Sequence, residues 1–450
     1  MRYLPTSLLL ILLIAGIARA QEPVLLTLDR AIDVSLENNS TIRSAQLEVD
    51  KAEAQISEAY GNALPSVDLS ANYSRNLEKQ VFYFPNASGE VQPISIGSDN
   101  AVTTELRIQQ ILFNGAVFKG VGIAKTYGEL SRQQLRAEAS TTVASVRKAY
   151  YAAQVADATV KINEVMMENA RRNYENAQAM YEQGVRAEFD AVRAQVQMAN
   201  IKPQIIQAQN SYNQARDNLA FLLGMESGRN LEIADTLALP ADTIPSLDEL
   251  LRVIRANNPQ LQAARLGSEV REQAIGANAA DYLPTLALFG SYQYQAQADA
   301  FGDLDFQPSA VAGLSLSMNL FKGGQTKAIV EQARIDHQIA QENYTQAQRA
   351  TAMQLEAALR NMSYAREQYQ ASLEVLMQAQ RAVEIASVSY QAGTGTMLEI
   401  NDAEVARVQA QYNRLNAIYA YNVARADLEQ LLSTDLTLDE DSEEVRYQKK

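Results

Sequence analysis

The sequence predicts a mainly α-helical chain with some β structure: an internally duplicated fold of long coiled-coil α-hairpins (an α-barrel) plus four β-strands contributed to an oligomeric transmembrane β-barrel. Three observations lead there. Motifs recur in order at a fixed offset, the side-chain period switches from 3.6 to 2 after a Leu-Pro pair in each copy, and two long stretches without proline exceed anything a single globular core could pack. The offset is 219 residues, carrying Leu28-Asp29, Asn38-Asn39 and Leu64-Pro65 onto Leu247-Asp248, Asn257-Asn258 and Leu283-Pro284. Further along, Leu112-Phe113-Asn114-Gly115 is answered by Leu320-Phe321-Lys322-Gly323, and Tyr181-Glu182-Gln183-Gly184 by Tyr390-Gln391-Ala392-Gly393. Two copies of one architectural unit are implied, not a catalytic domain with an accessory.

Residues 1–20 read as an export signal. Arg2 gives the charged start, 8–17 the apolar run and Ala18-Arg19-Ala20 the cleavage pattern, so that Gln21 would lead the mature chain. No cysteine occurs, which excludes disulfides and thiolate metal sites. The full chain carries a formal charge of −14. Loss of Arg2 and Arg19 takes it to about −16, which disfavours nucleic acid as a partner. Beyond residue 20 no apolar segment has the length of a membrane helix, so entry into lipid would have to be as a closed β-barrel.

The first repeat is expected over 21–224 and the second over 246–433, with a linker at 225–245 and an acidic tail at 434–450. Each opens on a short amphipathic helix, with Leu28, Ala31, Ile32 and Leu36 on one face in the first copy and Leu247, Leu250, Leu251 and Ile254 in the second. A second helix follows and ends before the Leu-Pro pair, where proline pushes its predecessor out of helical geometry. Alternation then marks β-hairpins at about 66–113 and 285–321, each broken by a polar, turn-rich loop, at 85–100 and 298–309. Last come α-hairpins at about 117–224 and 326–433. The long arm of each would extend about 100 Å at 1.5 Å per residue and must lie along other helices.

Four strands cannot close a membrane barrel, for which about eight is the minimum. The hairpin edges, and the open flanks of the helices, therefore call for other copies of the chain. A soluble exported rod (a coiled-coil scaffold or adhesin) stays open at this point, as does a periplasmic adaptor, although an adaptor needs a domain of many short strands.

Nothing points to an enzyme. His337, the one histidine, reads as a solvated mid-helix residue; no phosphate loop and no metal cluster occur, and no cofactor is implied. The residues of interest flank the two α-hairpin turns, which Gly184 marks in the first copy and Gly393 and Gly395 in the second. Glu399 and Asp402 lie three apart on one helix face. Thr396 and Glu399 also have capping-box spacing, so Glu399 fits a cap, whereas Asp402 lies beyond the capping position. Taken by itself, Tyr390 fits plain helix packing.

The ordered pattern of helix, Leu-Pro, strand, loop, strand, Leu-Phe-x-Gly, long helix, Tyr-x-x-Gly and returning helix resembles the TolC-type outer-membrane efflux proteins, over about 26–433. The resemblance implies a homotrimer in outer-membrane lipid with its helices in the periplasm. It also implies docking to a periplasmic adaptor (membrane fusion) protein and an inner-membrane pump. Glu399 and Asp402 match carboxylates that form acidic rings at the periplasmic entrance. Tyr390 and Asp190 match a tyrosine–aspartate lock between the turns. Gly395 stands where the family's lock has an arginine, and Phe189 where a hydroxyl would accept from that arginine, so one of two expected links is missing.

Overall fold

The computed structural model describes residues 24–85, 89–226, 231–241 and 245–433. The expected signal segment, part of the linker and the acidic tail lie outside them. Described elements run β1 (Val24–Leu26), α1 (Leu28–Asn38), α2 (Ser40–Gly61), β2 (Ser66–Arg75), β3 (Gln80–Pro85), β4 (Val91–Ile96), β5 (Asn100–Phe113), α3 (Gly115–Glu182), α4 (Glu188–Leu222), β6 (Leu231–Ile233), α5 (Leu247–Asn257), α6 (Pro259–Ala279), β7 (Thr285–Ala298), β8 (Gln307–Ser317), α7 (Gln325–Gln391) and α8 (Met397–Leu432).

Two compact units result. Among the described residues, one takes those within 24–44, 136–258 and 349–433, and the other those within 45–135 and 259–348. The second holds a four-stranded antiparallel sheet in the order β2-β5-β7-β8, which leaves β2 and β8 as open edges. Along β2, Val67, Leu69 and Tyr73 are all largely exposed, as are Leu314 and Leu316 on β8, so the sheet has apolar side chains without cover from its own chain. His337 is not simply solvated: its Nδ1 donates to the Ser268 carbonyl of α6 at 3.1 Å.

Two small sheets depart from the sequence reading. β3 and β4 form a separate antiparallel hairpin, with β4 inside the segment expected as a polar loop at 85–100 and β3 just before it. β1 pairs in parallel with β6, joining the start of the first copy to the linker. That pair anchors a core in the other unit, where Leu26, Val146, Tyr150, Leu219 and Leu231 are buried together. The Tyr150 hydroxyl donates to Asp235 Oδ2 (2.8 Å), with the Leu26 carbonyl 2.9 Å away. Burial and the neighbouring carboxylate raise its pKa well above the ordinary tyrosine value.

The duplication is visible in how the returning helices end. The last carbonyls of a helix lack internal partners. Asn39 Nδ2 donates to the Leu222 carbonyl at 2.8 Å at the end of α4, and Asn258 Nδ2 donates to the Leu431 carbonyl at 2.9 Å at the end of α8. Gly224, with φ +67°, closes the first of these ends; a Cβ there would fall 2.5 Å from the Asn38 carbonyl oxygen. Nearby, Glu429 of α8 receives both Arg147 of α3 and Arg425 in a buried ion-pair group.

Candidate functional site at the helical turns

Both α-hairpin turns use the same device. α3 and α7 each run into a glycine with positive φ, Gly184 at +72° and Gly393 at +82°. That left-handed residue lets the next amides fold back onto the helix's last carbonyls. Val185 N–H donates to the Met180 carbonyl (2.9 Å), and Gly395 N–H to the Ser389 carbonyl (2.9 Å). α4 then starts without a side-chain cap, whereas α8 starts with Thr396 and Glu399 in a complete capping box.

The turns are held against each other by a small apolar core of Ala177, Ala191, Ala194, Tyr390, Met397 and Ile400. Over it lies Arg186, from the first turn. Its guanidinium stacks on the Tyr390 ring, 4.5 Å from the centroid, and Nη2 donates to the carbonyls of Tyr390 (2.9 Å) and Gly395 (3.1 Å) in the second turn. Arg186 was invisible as a site residue in the sequence, because its acceptors are backbone atoms and leave no residue signature.

Tyr390 is 3% exposed, and its hydroxyl has no hydrogen-bond partner among the described residues. Asp190 is near enough to act on it electrostatically but does not bond to it. Burial, and then the negative field of Asp190, push the Tyr390 pKa up, while Arg186 opposes this. The expected lock pair is thus juxtaposed without the expected bond.

Gly395 is closed to larger residues. A Cβ there would lie 2.9 Å from Ser389 Cβ and 3.0 Å from the Tyr390 nitrogen, so an arginine at 395 would not fit this turn. The cation between the turns comes instead from the opposite turn. Phe189, where a hydroxyl acceptor was expected, is exposed and takes no part in this contact.

The two acids differ. Glu399 Oε2 accepts from the Thr396 N–H at 2.8 Å, so its carboxylate is committed to the cap. Asp402 is exposed and makes no hydrogen bond or ion pair among the described residues. No group of three or more potential metal-ligating side chains occurs among the described residues, and no described helix is long and apolar enough to cross a membrane.

A duplicated chain of paired long helices, carrying a four-stranded sheet with two free edges, is a subunit of an assembled outer-membrane channel. The sequence profile of the outer membrane efflux protein family matches residues 31–225 and 250–434, and the chain belongs to that family. It is similar to the outer membrane protein TolC of Vibrio cholerae, with 24% identity over 88% of each chain. It is also similar to the alkaline protease secretion protein AprF of Pseudomonas aeruginosa, with 26% identity over 73% of this chain and 69% of that one. Among solved structures, the fold matches the Campylobacter jejuni CmeC outer membrane channel with a TM-score of 0.77 at 19% identity, covering 92% of this chain and 87% of that one.

Proposed function

We propose that three copies of the chain assemble into a passive exit duct, with no chemistry of its own. It would serve a tripartite efflux or type I secretion system together with a periplasmic adaptor and an inner-membrane pump. The repeats at 21–224 and 246–433 each supply one β-hairpin and one α-hairpin. Three four-stranded sheets joined edge to edge give twelve strands, enough to close a barrel. The single observation that carries this reading is the pair of open, apolar-flanked edges at β2 and β8, which are expensive to leave unpaired and are removed by closure.

The α-hairpin turns form the periplasmic entrance in this reading. Arg186 clamps the two turns of a chain and holds the entrance narrow, with Tyr390 as its platform and Asp190 as a field on that platform. Asp402 lines the mouth as a ring of carboxylates that favours cations. Glu399 adds charge there only secondarily, because it caps α8. The test of assembly is the mass of the detergent-extracted protein: a trimer is expected, and a monomer that retains its fold refutes the proposal.

A further inference from the structure

The β3–β4 hairpin has no counterpart in the second copy. Residues 76–99 separate β2 from β5, whereas 299–306 suffice between β7 and β8. The hairpin continues β2 and β5 beyond the sheet, at the end opposite to that from which α2 and α3 leave. Its base is fixed: Lys79 Nζ lies 3.1 Å from Asp99 Oδ1 and 2.6 Å from Asp299 Oδ1, which ties both base strands to the end of β7.

Register and composition make this hairpin incomplete alone. Phe82 faces Ile94, and Gln80 faces Ile96, so Phe82, Phe84, Ile94 and Ile96 share one face. Each of the four is more than 40% exposed, as are Val81, Tyr83 and Val91 on the other face, where Pro85, Pro93 and the Tyr83 hydroxyl leave a less continuous apolar surface. Glu90 is the one charged residue in the described parts of 80–96. A lone two-stranded hairpin is marginal in water, and one with an apolar face is an aggregation hazard unless covered.

Three arguments select the cover. Ten residues of β2 at about 3.4 Å each, tilted by about 40°, rise about 26 Å, which matches the apolar band of a barrel of about 25 Å. The Lys79–Asp99–Asp299 group therefore falls at the lipid headgroup level, and β3–β4 projects past the acyl chains, so lipid cannot cover it. Pro93 interrupts the donors of β4 and Pro85 those of β3, which opposes extension by a further strand and leaves the side-chain face as the contact surface. Finally, the hairpin grows directly out of β2, the edge that a neighbouring copy must pair in the proposed barrel.

We infer that the β3–β4 hairpins of neighbouring copies pack their Phe82, Phe84, Ile94 and Ile96 faces on one another about the channel axis. They form an apolar collar at the external mouth, a constriction that narrows the water path and slows the return of bulky polar solutes. The inference rests on the proposed trimeric channel.

The absence of cysteine allows a direct test. Phe84→Cys and Tyr83→Cys place a thiol on opposite faces of the hairpin, and intact cells are treated with a short bismaleimide. Covalent dimer and trimer are expected from Phe84→Cys, with monomer persisting for Tyr83→Cys. If light scattering of the same detergent-extracted proteins gives a trimer but Phe84→Cys stays monomeric on the gel, or Tyr83→Cys crosslinks in its place, the collar is refuted while the channel stands. If scattering gives a monomer, the channel reading itself fails and the collar with it.

Discussion

Arg186→Ala should open the entrance more than any other single change at the turns. The side chain contributes two hydrogen bonds from a charged donor, worth about 1.5–3 kcal/mol each when fully made. It also contributes a cation–π contact worth about 0.5–1 kcal/mol at a partly exposed site. Water replaces part of this at a half-buried guanidinium, so a net loss of about 2 kcal/mol per chain is expected. That corresponds to a fall of roughly 30-fold in the ratio of clamped to released turns. The apolar cluster beneath, from Ala177 to Ile400, is untouched, so the hairpins stay folded. Single-channel recording in planar bilayers should show larger steps for Arg186→Ala than for the wild type. Arg186→Lys should fall between them, because a lysine keeps a charge but loses the planar two-carbonyl contact. Steps of unchanged size in Arg186→Ala, from protein that inserts normally, would refute the clamp.

The other predictions follow from the same geometry. Asp190→Ala should enlarge the steps less than Arg186→Ala does, since Asp190 acts on Tyr390 only through its field. Gly395→Ala should loosen the second turn at a cost of about 1–3 kcal/mol, read as faster proteolytic nicking near residue 395. The Tyr390 pKa is raised, so the folded turns hold its proton more tightly than the unfolded chain does. The stability this gives is complete below pH about 10, the unfolded value, and is lost as pH rises through the higher folded value. A Tyr390→Phe variant should lack that alkaline loss in a thermal-melt series against pH. Tyr150→Phe removes the bond to Asp235 and should lower stability by about 1–3 kcal/mol, measured by chemical denaturation in detergent.

Much of the fold was legible because long-range repetition and local period are strong signals. The long arms of the α-hairpins expected from about 117 and 326 are α3 and α7, which start at Gly115 and Gln325 and stop just before Gly184 and Gly393, because long proline-free stretches with glycine stops leave little choice. The four strands of the main sheet were readable from alternation, although β8 stops at Ser317, short of the expected 321; the β5–β7 pairing that joins the two hairpins into one sheet was not. β1 and β6 were not, since each has three residues and owes its existence to a partner about 200 residues away. β4 was hidden by Pro85, Pro93 and the turn residues between them, which read as loop; β3 precedes that loop, and only its pairing with β4 marks it as a strand separate from β2. At the turns, sequence spacing identified the Thr396–Glu399 box and the glycines. It could not reveal Arg186, nor that the Tyr390 hydroxyl sits in an apolar cluster out of bonding contact with Asp190.

The central claim is that this chain builds a conducting tunnel with an acidic mouth. The most direct test is the reversal potential of purified wild-type protein in a planar bilayer under a potassium chloride gradient, beside Asp402→Ala. The account predicts discrete steps whose reversal potential shows cation preference, with that preference reduced in Asp402→Ala and nearly intact in Glu399→Gln, whose carboxylate serves the cap. Protein that inserts as a trimer yet passes no current, or passes it with equal selectivity in all three forms, would contradict the account.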